Sequence, residues 1–493
     1  MELKEELKMP NTPGVNVINR GTVTPQNGTT TTDTAFIVIE SAQGRIDQPV
    51  LINSLTQFIL NFGARVSYSI GYDWLDAFFN EAGGGNVYVM RVVGAGATLD
   101  SHTFNDASAA ASITVNSIGP AVSGLSVAVT AGISAGSYRL VVTGLPDGST
   151  LTSYDLYTVT DAVNWGANQL LIRVVSAGVN PPAVVAATAL TGGADAHAAI
   201  TDAERITALD AIPIGLGVGQ VCIPGATTEL VQAALLNFAQ STNRFALLDT
   251  TDSASTSALI ALAAAAQTDA TISAGALENG MMLCDWQIIP GLVPNTTRTV
   301  PPSAIVAALI ARLDRASGNP NLAAAGANGL VQYALGKTQP DWTDAQTNLL
   351  VQSGVNPFRI VYGSERFYGF RTLTNPVTDP VLVMASASRL IMAIKDQGYR
   401  IGQSILMDQI DGLGHEASKY GSRIAAVLAA YYAMDALYGA TASDAYIVDT
   451  GPDVNTPTTI ANRELHAAVG IVPAPFAETV FFELATYSVA QPV

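Results

Sequence analysis

Apolar residues along this chain fall into two alternating textures. Short unbroken runs occur at Ala35 to Glu40 (AFIVIE), Pro49 to Ile52, Asn86 to Val93 (NVYVMRVV), Val221 to Ile223, Arg244 to Thr250 (RFALLDT) and Met281 to Ile289. Such runs predict strands buried on both faces. Between them, apolar residues recur at helical spacing. A capping-box pattern at Ser54 to Gln57 opens a helix ending at Gly63, and a second helix is predicted from Ser67 to Ala82, with Trp74, Leu75 and Phe78 on its apolar side and Gly83 to Gly85 as its stop. Further helices are predicted over Ala203 to Leu209, Thr227 to Gln240 and Ala254 to Gln267. Strand and helix alternating at this spacing predict an α/β fold, a wound parallel sheet with helices on both faces.

The most constrained stretch is Thr299 to Gly326. Pro301 and Pro302 forbid a strand centre and suit a helix start; Ser303 is a candidate N-cap, with Pro302 at the first helical position as the alternative. Ile305, Leu309 and Leu313 share one face, widened by Val306 and Ile310, while Ala304, Ala307, Ala308 and Ala311 allow close approach. Gly318 and Pro320 end the helix. A buried, tightly packed helix is expected.

From Gly94 the texture changes. Residues 94–193 are rich in Ala, Ser, Thr, Val and Gly, with short runs (SITVN, LSVAVT, YRLVVTG, YDLYTV, LLIRVVS) spaced by turn signals. These predict an all-β module, a sandwich or small barrel, inserted into the α/β sequence. The expected organisation is an N-terminal arm (1–32), a discontinuous α/β core (33–93 and 194–379), the inserted β domain (94–193), a small C-terminal α+β domain (380–478) and a C-terminal strand or arm (479–493). In the C-terminal domain, helices are predicted at Ala385 to Gln397, stopped by Gly398, and at Ala417 to Tyr438, stopped by Gly439; strands are predicted at Ala445 to Asp449, Glu464 to Val472 and Thr479 to Val489. At the two ends, Val15, Val17 and Ile18, and Phe481, Phe482 and Leu484, form strand-like segments with no evident partner in their own neighbourhood. A terminal strand that pairs with another copy is strand addition, and a head-to-tail contact of that kind builds a helical filament.

Charge and chemistry narrow the function. With 23 Lys and Arg against 40 Asp and Glu, net charge is −17, which argues against nucleic-acid binding. No apolar run is long enough to span a bilayer, and Met1 to Lys8 lacks the apolar region of a secretory signal. Cys222 and Cys284 are isolated and read as buried small hydrophobes. Leu335 to Thr338 imitates the end of a phosphate-binding loop, but Val331 stands where that motif needs glycine. Asp408 to Gly412 has carboxylates without calcium-loop spacing. Of the four histidines only His197 lies in the α/β part, and no nucleophile segment follows it. No catalytic, metal or cofactor site is expected.

Several blocks resemble the contractile phage tail sheath family. They are the Val-Pro-Pro-Ser run at 300–303 followed by Ala311-Arg312-x-Asp314, the N-terminal Pro13-Gly14-Val15, the FxxNFG, Phe-Phe, Gly-Gly-Gly and VYVMRV series from Phe58 to Val92, and Leu190 to Asp195. To these are added Asn348 to Thr374, containing Asn356, Arg359, Gly369 and Arg371, and Pro473, Pro475 and Glu478. The chain departs from the family pattern at Ala304, Ala308 and Ala196, where glycine is usual. The resemblance implies a subtilisin-like but non-catalytic core with extended arms, and structural roles for Arg91, Pro301, Pro302, Ser303, Arg312, Asp314, Asn356 and Arg371. It also implies a subunit that polymerises in helically stacked rings around an inner tail tube protein and contracts to drive the tube through a target envelope. Baseplate and tail terminator would be further partners, with assembly in the host bacterial cytoplasm and residence in the virion tail, and no direct membrane insertion. A sheath of a headless injection system is the alternative, and a subtilisin-like hydrolase the more distant one. For Arg91 an ordinary strand-end ion pair is the competing expectation.

Overall fold

The computed structural model describes residues 31–121 and 123–484. Its centre is a seven-stranded sheet. In chain order the core elements are β1 (Ala35–Ile39), β2 (Val50–Ile52), α1 (Leu55–Phe62), α2 (Gly71–Ala82), β3 (Val87–Arg91), α3 (Asp202–Asp210), β4 (Gln220–Cys222), α4 (Glu229–Thr242), β5 (Phe245–Asp249), α5 (Thr256–Thr268), β6 (Gly280–Leu283), α6 (Pro302–Ser317), α7 (Asp344–Gln352) and β7 (Val355–Asn356). The strand order is β7-β6-β5-β4-β1-β3-β2; every neighbouring pair is parallel except the antiparallel edge strand β2. Strand alternation sorts the core into two layers. Ala35, Ile37 and Ile39 face α2 and α6, with Trp74, Phe78 and Ala304 to Ala311, whereas Phe36 and Val38 face α3, α4 and α5, with Leu209, Leu235 and Leu259.

Several boundaries differ from the sequence reading. Only half of the Ser54 box forms: Ser54 Oγ accepts from Gln57 N, but the Gln57 side chain accepts from Asn53 N. α2 starts at Gly71, not Ser67, because Ser69 Oγ donates to the Glu40 carbonyl and accepts from Gly71 N, holding a turn there. Gly71 lies so close to β1 that a Cβ would stand 2.5 Å from Ile39 Cδ1. The run Met281 to Ile289 is two strands. Asp285, at φ 71°, turns the chain after β6, and Gln287–Pro290 pairs instead with Thr297–Val300 and Gly336–Lys337 in a separate antiparallel sheet.

Between β3 and α3 the chain builds two further sheets. Ser101–Asn105, Ala111–Ser117 and Ile172–Ser176 form one; Val185–Ala189, Ser126–Ala131, Tyr138–Thr143 and Leu151–Thr152 form the other, with their own core around Val127, Leu140 and Trp165. This stretch is not purely β. Thr158 and Asp161 make a reciprocal capping box that launches a helix, Val159–Ala167, at the end of the YDLYTV run, which itself makes only a single bridge, Leu156 to Tyr138, in place of the expected strand. The stretch leaves and rejoins the body at one point: Gly94 N donates to the Asp195 carbonyl at 3.0 Å, and Thr98 bridges Ala194.

After the main sheet come α8 (Ala385–Gln403) and α9 (His415–Ala433), packed through Leu390, Ala393, Ile424 and Leu428. α8 runs through Gly398, whose Cβ position meets nothing within 4 Å. α9 stops before Gly439, at Ala433, because Asp435 adopts φ 57° and Ala436 N closes back on the Tyr431 carbonyl. A two-stranded ribbon follows, Tyr446–Asp449 antiparallel to Ala468–Ile471, shorter than the Glu464 to Val472 strand expected. Residues 479–484 form no strand, in contrast to the expected strand from Thr479, because no ladder partner lies beside them among the described residues. Val15, Val17 and Ile18 lie outside the described residues.

Candidate functional site

Most of the residues singled out in the sequence gather around α6 and near Thr32 and Glu478, close to the two limits of the described chain, whereas Arg91 lies apart. Pro301 is the N-cap of α6, in extended conformation, and Pro302 occupies the first turn; Ser303 is therefore not the cap. Instead, Ser303 N and Oγ donate to the two carboxylate oxygens of Asp249 at 2.9 and 2.7 Å, and Ser303 Oγ accepts from Trp74 Nε1 at 3.0 Å. Gly225 N also donates to Asp249, at 3.0 Å. This couples the end of β5, the start of α6 and the middle of α2. Burial of Asp249 pushes its carboxyl up to about 6, although three hydrogen bonds oppose the shift. All eight residues from Ala304 to Ala311 are fully buried.

Ser303 resembles a nucleophile in type only. It is buried with its hydrogen bonds filled, and the histidines are engaged elsewhere. His197 stacks on Tyr68 and bonds Asp195, His102 packs edge-on against Phe104, and His415 and His466 pair with Asp411 and Glu464. Lys337 belongs to no phosphate loop; it lies in a short strand, with Nζ on the Phe358 carbonyl at 2.6 Å and facing the buried Asp285 carboxylate at 3.4 Å. Among the described residues no group of His, Cys, Asp and Glu has the arrangement of a metal site, and no helix is long and apolar enough to cross a membrane.

At the far end of α6, Arg312 and Asp314 point to different partners. Arg312 donates to the buried Glu81 carboxylate at 2.6 Å and to the Leu330 carbonyl at 2.7 Å, while the other Glu81 oxygen accepts from Gln332 N and Tyr333 N. Asp314 pairs with Arg389 of α8, both side chains buried, and accepts from Thr32 Oγ1 at 2.5 Å. Burial holds the Asp314 carboxyl above the ordinary range even with Arg389 beside it. Thr32 is the second described residue of the chain, so Asp314 fastens the root of the N-terminal segment.

Arg371 does the corresponding work at the other end. Its Nε donates to Glu478 Oε1 at 2.7 Å, and Nη2 donates to Glu478 Oε2. Asn356 is fully buried and stitches β6 to this segment, donating to the carbonyls of Met282 (3.0 Å) and Arg371 (2.9 Å) and accepting from Arg371 N (2.8 Å). Arg91 makes no strand-end ion pair. It is buried and donates to the carbonyls of Ser41 and Gly44, clamping the turn after β1, and desolvation lowers it to about 10. Beyond Glu478 the chain is bare: Val480, Phe481, Phe482 and Leu484 are 84, 85, 86 and 79% exposed.

Asp249, Glu81 and Arg389, the buried partners of the expected residues, were not singled out in the sequence. The one available signal was a charge inside an otherwise apolar pattern, as in RFALLD ending at Asp249 and in the apolar side of α2 at Glu81.

Residues 198–373 match the family model described as the phage tail sheath protein central domain. No curated protein sequence is a significant match. Among solved structures, a sheath tail protein from Listeria innocua is similar at TM-score 0.59 and 11% identity, covering 91% of this chain and 96% of that one. A chain of the anti-feeding prophage baseplate is similar at 0.58 and 14% identity, covering 97% and 100%. The sheath of the PVC extracellular contractile injection system in its contracted state is similar at 0.55 and 14% identity, covering 97% and 98%. Residues 198–373 are thus similar to the phage tail sheath central domain, and the chain as a whole shares the mixed α/β fold of solved sheath proteins.

Proposed function

We propose that the chain is the subunit of a contractile sheath, polymerising helically around an inner tube and contracting to drive the tube through a target envelope. The observation that carries this reading is the C-terminal end. The fold is closed at Glu478, yet Val480 to Leu484 continue as a bare apolar segment. Left without a partner, such a segment promotes aggregation; seated on a sheet edge of another copy, it becomes a link. A candidate acceptor is present in every copy. The ribbon Tyr446–Asp449 and Ala468–Ile471 has only two strands, each with an outer edge that no described strand occupies, and exposes Ile447 and Val469. A donor segment on one copy seated on the acceptor edge of the next is a head-to-tail contact, and repeated without closure it gives an open helix.

Contraction is then a rigid-body rearrangement of subunits between two packings, with the linked ends as hinges. On this reading the seven-stranded core plays the part of the subtilisin-like core that the resemblance implies, in a non-enzymatic role. A tail tube protein, a baseplate and a tail terminator are the expected partners, and the virion tail, assembled in a bacterial cytoplasm, the expected location. The similarity to anti-feeding prophage and PVC chains favours, as a second reading, the sheath of an injection particle without a head. The test is removal of residues 479–493, followed by negative-stain microscopy and sedimentation. Folded protein that no longer forms cylinders is expected; normal cylinders from the truncated chain would overturn the reading.

A further inference from the structure

The two chain ends leave the body far apart in sequence, but their fastenings converge on the first turns of one helix. At the N-terminal end, Thr32 bonds Asp314, which pairs with Arg389, in the second turn of α8. At the C-terminal end, Glu478 is held by both guanidinium nitrogens of Arg371. The Arg371 backbone bridges Met384, the residue before α8, and its neighbours Thr372 N and Ala385 N bond the carbonyls of Val383 and Phe370 at 2.9 and 3.1 Å. Met384 and Arg389 are five positions apart, about 7–8 Å along a helix axis. Phe476 packs against the main core just before Glu478, so the tail becomes free only after the Arg371 contact.

We propose that the start of α8 is a tie between the two chain ends, with Asp314 and Arg371 as its positioning residues. This rests on the reading that the ends link neighbouring copies. A pull on one end then reaches the other through Thr32, Asp314, Arg389, the start of α8, Arg371 and Glu478. The path is also fastened to the seven-stranded sheet, where Gln220 of β4 donates to the Thr32 carbonyl at 2.7 Å and Asn356 of β7 bonds the Arg371 backbone. The two fastenings differ in exposure. Arg389 and Asp314 are buried, with side-chain exposures of 0 and 4%, whereas Arg371 and Glu478 are at 19 and 36%. The C-terminal fastening is therefore the one to perturb without leaving a buried charge unpaired.

The test uses the full chain with Glu478→Gln, and with the exchanged pair Arg371→Glu/Glu478→Arg. Monomer melting, the concentration at half-assembly and the urea midpoint for cylinder breakdown are measured for each. Glu478→Gln is expected to leave monomer melting unchanged, raise the half-assembly concentration by about threefold, as loss of a partly exposed ion pair implies, and lower the breakdown midpoint. The exchanged pair is expected to restore both assembly values. Unchanged assembly and breakdown in Glu478→Gln would overturn the tie, and so would a defect that the exchanged pair does not repair. Removal of 479–493 separates the two readings. If that truncation abolishes cylinders while Glu478→Gln behaves as the parent, only the tie fails; if the truncated chain still assembles, the linkage reading itself fails.

Discussion

Removing the Asp314 carboxylate while leaving Arg389 in place is the sharpest perturbation of the body. Both side chains are buried, and Asp314 Oδ1 and Arg389 Nε have no hydrogen-bond partner among the described residues. The Asp314 carboxyl is raised, not lowered, beside an arginine, with desolvation the largest cause. The pair as a whole therefore contributes little, because the cost of burying two charges offsets their attraction. Half of it is another matter. Asp314→Leu leaves a buried guanidinium whose remaining bond is a 3.3 Å contact to the Pro320 carbonyl, and is expected to cost about 3–5 kcal/mol. For a cooperative unit of roughly 200 residues this is a fall of about 6–15 °C in monomer melting temperature. The double variant Asp314→Leu/Arg389→Met removes both charges and should recover most of the loss, ending within about 1–2 kcal/mol of the parent. Circular-dichroism melts of the parent, both singles and the double complete the cycle. The reasoning is refuted if Asp314→Leu alone costs less than about 1 kcal/mol, or if the double is as unstable as that single.

Two further outcomes follow from buried groups near α6. Asp249 titrates at about 6 in the folded body against an ordinary value near 3.9, so the folded state binds the extra proton; stability should rise by about 2 kcal/mol as pH falls from about 6 to about 4, a component that disappears in Asp249→Asn and is read from urea midpoints across that range. Asp285, Glu278 and Glu365 are shifted upward by burial too and contribute with the same sign. Ala308→Leu places three extra carbons on a fully buried helix position and should cost about 1–3 kcal/mol in the same melts, whereas an unchanged melting temperature would mean slack beside α6.

The central sheet was legible because strands covered on both faces are apolar nearly throughout, which β1 and β6 obey and β5 obeys up to its last residue, Asp249. Helix ends were legible where glycine takes a left-handed conformation, as at Gly83 and Gly318, and misread where it does not, as at Gly398. The break between β6 and Gln287–Pro290 was hidden because the turning residue is Asp285, with no glycine or proline in Cys284-Asp285-Trp286 to mark it. Partners at long range were hidden for a different reason. Arg312 meets Glu81 across 231 positions and Arg371 meets Glu478 across 107, separations over which no periodicity carries information. The tail after Glu478 illustrates the limit of a single chain, since its apolar pattern is readable but no strand among the described residues pairs with 479–484.

The contact between Gly94 and Asp195 has a consequence for how such a chain diversifies. Because the outgoing and returning strands touch, the length of the intervening stretch is only loosely constrained, and closing a longer loop adds little entropy cost, about 0.6 kcal/mol per doubling. That position behaves as a socket. A module of another length is expected to fit there without a change of strand order in the body, provided that it also fills the place where Gly119 approaches the Gly44 carbonyl.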